Sequence, residues 1–399
     1  MDTNRRKLLQ LGSLAFLGLT DVATSEEPKT GVTLYRPTKW APTFLALLFL
    51  LIGEMSLFAQ DEPSNPPRSR RGFAQDAQST TSGGGARTPN IIVSYTDENN
   101  KLQLYRIKED GSSRRRITDG KDDCMMPAWS PNGKKVVYVR QSSAGLNLWL
   151  CDPDGKNHKP LTQSGRNRIP SWLPDSKHVV WMVSTPGKGA QDPAANSQLR
   201  IMNTETMESR RLFSDAQQIK FSNAMPVVSP KGKKVAFVSN RSGNYRVWLS
   251  NLDGSDAKPI SPVPTEKDKT LNLPLEQKVP SWSPDGKWIA HWEGVEMIHM
   301  SRFTGKRNPK RDQLIAATFH VWVVGSDGKN KRKVGRGDDP TWSPDGFVTR
   351  AFPDRDRGGP KIMIETESGE KELPIVPPKT RWGRFTWLPH QARKTENRQ

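Results

Sequence analysis

The 399-residue chain is poor in cysteine, with only Cys124 and Cys151, and poor in histidine, with six. Two thiols rule out a disulfide framework and a cysteine-based zinc site; they form one disulfide or stay as two buried thiols. Long apolar runs are equally scarce. Hydrophobic residues make up 34% of the chain. One stretch, APTFLALLFLLIGEMSLFA at 41–59, approaches the length of a membrane span, which excludes a transmembrane bundle. No G-x-S-x-G occurs, so the nucleophile elbow of an α/β-hydrolase is missing. In their place stand 32 prolines and 31 glycines, the composition of a turn-rich protein of one large domain or two smaller ones.

The run at 41–59 follows Arg36 and Lys39 and precedes the polar QDEPSNPPRSRR. Positive flank, apolar core and a small residue before a polar stretch make a secretory signal peptide, with cleavage after Ala59 or retention as an anchor. A second leader-like stretch, NRRKLLQLGSLAFLGL at 4–19, has a twin-arginine pattern; two leaders in one chain imply that translation starts near Val32 or Leu34. Either arrangement places the protein in the periplasm or outside the cell. Residues 60–89, with SGGG at 82–85, read as a flexible linker. The net charge is +19, of which residues 90–399 carry +17. A basic folded part suits anionic partners, but by itself it is a weak pointer and a solvated surface is the preferred reading.

From residue 90 onward one pattern recurs: PAWSPNGKKVVYV (127–139), PSWLPDSKHVVWM (170–182), PVVSPKGKKVAFV (226–238), PSWSPDGKWIAHW (280–292) and PTWSPDGFVTRAF (340–352). Each unit opens with a proline and an anchor, then turns through Ser-Pro-Asp-Gly, where Pro presets φ and Gly lets the chain leave freely. A β-branched and aromatic run follows, as befits a strand buried on both faces. A third strand, a polar hairpin and a short fourth strand complete the unit. Four strands per repeat with an anchoring Trp is the pattern of a propeller blade. The anchors are Trp129, Trp172, Val228, Trp282, Trp342 and Trp387. Residues 90–118 supply strands but no anchor, and RFTWLPH supplies an anchor but no blade. The sequence therefore predicts an all-β, six-bladed propeller over 90–389, closed by pairing of its first and last strands, with a polar tail at 390–399.

These anchors resemble the WD40-like repeats called PD40, found in the propellers of the TolB family and of prolyl-oligopeptidase-type peptidases. The resemblance spans residues 90–389 and rests on P-x-W-S-P-D-G. It implies an exported, TolB-like binding scaffold. TolB proteins carry an α/β domain before the propeller, and residues 60–89 are too short and polar to form one. The peptidases need a hydrolase domain whose elbow this chain lacks.

Strand order puts the long insertions 184–198, 261–278 and 293–319 on one face and only tight turns on the other. Long loops on one face of a regular scaffold are where binding concentrates. Residues just before each anchor line the channel mouth on that face: Asp123, Arg166, Arg168, Lys278, Arg336, Asp338, Arg381 and Arg384. That mixture suits a protein, a peptide or an acidic glycan of the cell envelope, or else forms a hydrated, partly salt-bridged channel. No cofactor is expected. His291, Glu293, His299 and His320 crowd one blade, yet their spacing matches no metal motif. His299, His320, Glu293 and Asp338 are also the only acid/base candidates for a propeller lyase or glycoside hydrolase acting on an acidic polysaccharide. No catalytic motif is present, so the reading is non-catalytic. RFTGKRNPKR (302–311) lacks the interleaved aromatics of a nucleic-acid site. The basic outer strands, such as Arg114-Arg115-Arg116 and Lys331-Arg332-Lys333, guard exposed edges against aggregation.

Overall fold

A computed structural model describes residues 90–184, 197–213, 216, 220–261, 273–295, 317–354, 357–389 and 392. The export leader, the linker, His299, the 302–311 run and most of each long insertion lie outside the described residues. No helix among the described residues is long and apolar enough to cross a membrane.

Among the described residues the fold consists of strands in antiparallel meanders. The first blade contains β1 (Ile91–Thr96), β2 (Leu102–Ile107) and β3 (Arg115–Arg116). Next come β4 (Asp123–Trp129), β5 (Val136–Ser142), β6 (Gly145–Cys151) and β7 (Lys159–Pro160). They are followed by β8 (Gly165–Trp172), β9 (His178–Ser184), β10 (Ser197–Asn203) and β11 (Ser209–Arg211). A fourth meander holds β12 (Asn223–Val228), β13 (Lys234–Ser242), β14 (Asn244–Asn251) and β15 (Lys258–Pro259). A fifth holds β16 (Leu275–Trp282), β17 (Trp288–Val295), β18 (His320–Gly325) and β19 (Arg332–Arg336). The last has β20 (Asp338–Trp342), β21 (Val348–Asp354), β22 (Gly359–Thr366) and β23 (Gly369–Leu373), before β24 (Trp382–Trp387). The result is an all-β propeller of antiparallel four-stranded blades. Four sheets stand alone, and β4–β7 joins β8–β11 in one eight-stranded sheet through a short parallel pairing of β6 with β8.

As the two incomplete ends of the pattern predict, β24 pairs antiparallel with β1, setting Ile91 against Trp387 and Val93 against Phe385. The second strands are buried on both faces: every residue of IIVSYT in β1 is inaccessible, and so are Val136 to Val139 in β5. Such strands lie between neighbouring blades. One cluster joins Val235 and Phe237 of β13 to Val180 of β9 and Trp282 of β16.

The repeated motif explains itself as a stitch between blades. The Trp172 indole N–H donates to Ala128 O, that of Trp282 to Val227 O, and that of Trp342 to Ser281 O, each at 3.0 Å. Every acceptor directly precedes the preceding repeat's anchor. Val228 has no indole; there the link runs from its own N–H to Ser171 Oγ at 3.2 Å. The turn is equally defined: Gly286 sits at φ +73° and its N–H donates to Ser283 O at 2.9 Å. A side chain at Gly286 would meet Pro230 of the neighbouring turn, so successive turns lean on one another around the hub.

Candidate functional site

Each inner strand contains an irregularity at the same point. Pairing skips two residues after Met125, Arg168, Ala224, Lys278 and Asp338, and β24 shifts its register beside Val93. These are β-bulges, whose extra residue leaves the ladder and re-aims its side chain. The residue three before each anchor adopts a left-handed backbone: Met126 (φ 54°), Ile169 (53°), Met225 (51°), Val279 (54°), Asp339 (49°) and Arg384 (80°). In five of the six a proline follows, and proline has no N–H to leave unpaired in the bulge.

All six are half-buried, and five of them, Met126, Ile169, Val279, Asp339 and Arg384, form a collar around one end of the channel. Beyond it, the turn prolines Pro131, Pro174, Pro230, Pro284, Pro344 and Pro389 complete the wall of a cavity of about 380 Å³. All six repeats contribute equivalent residues to it. The volume falls at the small end of ligand pockets, and its apolar lining with one charged pair is typical of them. That pair is Asp339 with Arg384, 2.7 Å apart, joining β20 to β24. Asp338 stands one residue nearer the mouth. Burial, and after it the neighbouring Asp339 charge, push the Asp338 carboxyl up to about 7 against the pull of Arg384. Burial raises Asp339 too, though Arg384 opposes it.

The predicted mouth residues are only partly brought together. Arg381 Nη2 lies 3.8 Å from Asp123 Oδ2, and Asp123 also accepts the Leu102 N–H at 2.8 Å. Lys278 is buried 3.3 Å from Glu276 and lies over the Tyr245 ring. Arg384 is held by Asp339 at the turn end. Arg336 is exposed, with its guanidinium over Phe352. Arg166 is exposed and Arg168 half-buried; burial first, and then the Arg166 charge, depress the Arg168 pKa. The mouth is thus less basic than its composition suggests, because Arg381, Lys278 and Arg384 face carboxylates drawn from their own or the adjoining blades.

The blade around His291 is a buried polar layer. His291 is fully inaccessible, burial depresses its pKa, and neither ring nitrogen has a hydrogen-bond partner among the described residues. Glu293 Oε2 lies 3.8 Å from His291 Nε2, 2.7 Å from Lys331 Nζ and 3.1 Å from Gln277 Nε2. Burial pushes Glu293 up, but His291, Lys331 and Gln277 overcome it and hold the carboxyl at about 2. His320 sits opposite Glu293 in the β17–β18 ladder, with its Nδ1 near Thr318 O at 3.0 Å. Glu293 and His320 thus face each other across the ladder, while the charges that act on Asp338 are those of Asp339 and Arg384. No group of three His, Cys, Asp or Glu among the described residues is arranged to hold a metal. Cys124 and Cys151 are free thiols, both pushed up to about 12, chiefly by burial.

The turn-end cavity was not anticipated from loop lengths. Its signal was present, however, in the proline two residues after every anchor, Pro389 included.

A family model described as PD40, TolB beta propeller domain, matches residues 80–302. The chain belongs to that family. An uncharacterized protein of Agrobacterium fabrum is 23% identical over 269 residues, spanning 65% of this chain and 84% of its own. A protein TolB homolog of Chlorobium luteolum is 27% identical over 161 residues, 40% of this chain; the match spans 34% of that relative's length. The crystal structure of TolB from Acinetobacter baumannii superposes with a TM-score of 0.57 at 19% identity, covering 75% of this chain and 67% of that one. At this identity the likeness establishes the fold.

Proposed function

We propose that this PD40 chain is an exported binding propeller of six blades, the eight-stranded sheet counting as two, that holds a protein or peptide of the cell envelope in its channel. The observation that carries this reading is the hub cavity, to which all six repeats contribute. An apolar recess in a rigid ring is pre-organised, so little ordering opposes a ligand that fills it. The signal-peptide pattern at 41–59 supports export, and the exposed Arg166 and Arg336 at the mouth would meet acidic groups of the partner. No reaction is assigned: Glu293 faces His320 within one blade, and Glu293 is held by Lys331 and Gln277.

The test uses the full chain to capture partners from a cell-envelope fraction, beside Met126→Trp, whose indole would occupy the cavity that Met126 lines, and Arg166→Glu at the mouth. Met126→Trp loses the partner while keeping a cooperative unfolding transition, and Arg166→Glu weakens capture only modestly. Retention of the partner by a folded Met126→Trp protein would overturn the reading. Stabilisation of the wild type by acidic oligosaccharides would replace the peptide with a glycan. Sequencing the mature N-terminus tests export and cleavage after Ala59.

A further inference from the structure

Four cations set into the blades each meet a carboxylate. Arg140 lies 2.8 Å from Asp122, Lys278 3.3 Å from Glu276, Arg350 2.8 Å from Glu370 and Arg384 2.7 Å from Asp339. Arg168 in β8 departs from that rule. It is half-buried, yet it has no hydrogen bond, ion pair or ring contact among the described residues. None of its guanidinium nitrogens is sealed from solvent. Its cross-strand partner is Met182, a member of the apolar cluster shared with the next blade, and facing residues lie on one side of a sheet. The equivalent positions of the flanking inner strands, four residues before their anchors, hold Met125 and Ala224, so neither strand supplies a counter-charge there. The charged neighbour that acts on Arg168 is Arg166, of like sign. The backbone beneath this pair is firmly held. Asn167, between them, is buried; its Nδ2 donates to Ser164 O at 2.9 Å and to Leu146 O at 3.1 Å, and its Oδ1 accepts the Trp181 indole N–H at 2.9 Å. The parallel pairing of β6 with β8 sets Leu146 beside Arg166. The junction that fuses two blades into one sheet thus fixes the segment that carries both guanidinium groups.

Resting on the binding role proposed above, we propose that Arg168, assisted by Arg166, receives a carboxylate of the partner at the mouth end of the channel. A guanidinium presents a planar fork of donors that matches a carboxylate with two parallel hydrogen bonds. On its apolar blade face Arg168 is less screened than the exposed Arg166, so it carries most of the attraction. A cationic group of the partner would add a third positive charge to the same segment. An apolar group would desolvate the guanidinium further and leave it without a counter-charge. The carboxylate comes from an aspartate or glutamate side chain or from a chain end, which offer Arg168 the same two oxygens.

The experiment is calorimetric titration of the full chain with acetylated, amidated Ala-Leu-Glu-Leu-Ala, with its glutamine counterpart, and with the glutamine peptide bearing a free carboxyl end. Butyrate and butyramide serve as minimal probes. The two carboxylate-bearing peptides separate a side chain from a chain end as the source. At least one is expected to bind about tenfold tighter than the uncharged peptide, with butyrate outcompeting butyramide. Arg168→Met should erase that preference and leave uncharged-peptide binding unchanged. Arg166→Met, at an exposed position, should weaken carboxylate binding by only about threefold. Arg168→Met should also unfold no more readily than the wild type; a marked loss of stability would make Arg168 a structural residue and overturn the site. Equal binding of all three peptides by the wild type overturns the inference, and that comparison needs no variant to fold. A carboxylate preference surviving in Arg168→Met overturns it as well, and tighter binding of a uronate oligosaccharide than of either peptide replaces the peptide with a glycan. If no peptide binds, and envelope capture is lost in Met126→Trp but kept in Arg168→Met, the carboxylate inference fails and the binding reading stands.

Discussion

The two ends of the channel are built from the same six strands and differ in almost everything else. At the turn end the repeats agree: anchor, bulge, proline and turn recur, and equivalent residues meet around one cavity. At the mouth end they diverge. The residue six before each anchor is Asp123, Arg166, Ser222, Glu276, Arg336 and Arg381 in turn; Asp123 meets Arg381 and Glu276 meets Lys278, while Arg166 and Arg336 are exposed. Repetition is demanded where blades must be stitched together, and the same indole link recurs at Trp172, Trp282 and Trp342. Variation is tolerated where only solvent and loops follow. The hub cavity is a by-product of the stitching until its collar is inspected. There Asp339 and Arg384 break the apolar pattern, and the turn end acquires a chemistry of its own.

The sharpest way to break the comparison is at a stitch. Trp282→Ala removes a buried indole and its cross-blade hydrogen bond, and should cost about 3–5 kcal/mol in urea unfolding. Val228→Ala, at the anchor without an indole, should cost about 1–2 kcal/mol. Equal losses would deny the anchors their role. The second test concerns Asp338. Its folded carboxyl, near 7, lies above the unfolded value of about 3.9, so the native state keeps a proton that the unfolded state releases. Stability therefore falls as pH rises between these values. Asp338→Asn should stabilise by about 2 kcal/mol at pH 8, with the gain gone at pH 4. A pH-independent effect would show that the charge is not confined.

His291 titrates in the opposite sense. Its folded pKa is depressed by burial, so below about 6.5 the unfolded state binds a proton that the native state refuses. Stability should fall with acidification by up to about 1.4 kcal/mol per pH unit, and His291→Met should flatten that slope in pH-dependent unfolding. The smallest effect belongs to Val279→Gly. Relief of a left-handed β-branched residue offsets a lost wall contact, so stability should change by less than about 1 kcal/mol. Affinity for an apolar probe should nevertheless drop. A large loss of stability would mean that the collar is core rather than cavity.

The blades were legible because their signals are local. Proline-anchor-turn spacing and two-sided hydrophobic runs mark strands whichever blade they join, and the partial units at 90–118 and 385–389 announced β1 pairing with β24. The bulges were half legible, since a proline inside five of the six inner strands marks a ladder defect but not which residue turns left-handed. The ion pairs were not legible. Asp339 and Arg384 are 45 residues apart and meet only because consecutive inner strands converge, and Glu293 finds Lys331 across the same blade. Loop length pointed to the mouth, whereas convergence of the anchors points to the turn end, and convergence is a property of the closed fold.

Hydrogen exchange of the full chain, free and with its captured partner, compares the two ends directly. A partner seated in the hub slows exchange in residues 126–131, 169–174, 225–230, 279–284, 339–344 and 384–389 together. Slowing confined to residues around Asp123, Arg166 and Arg336, with those six segments unchanged, would place the partner on the opposite face and contradict a binding hub.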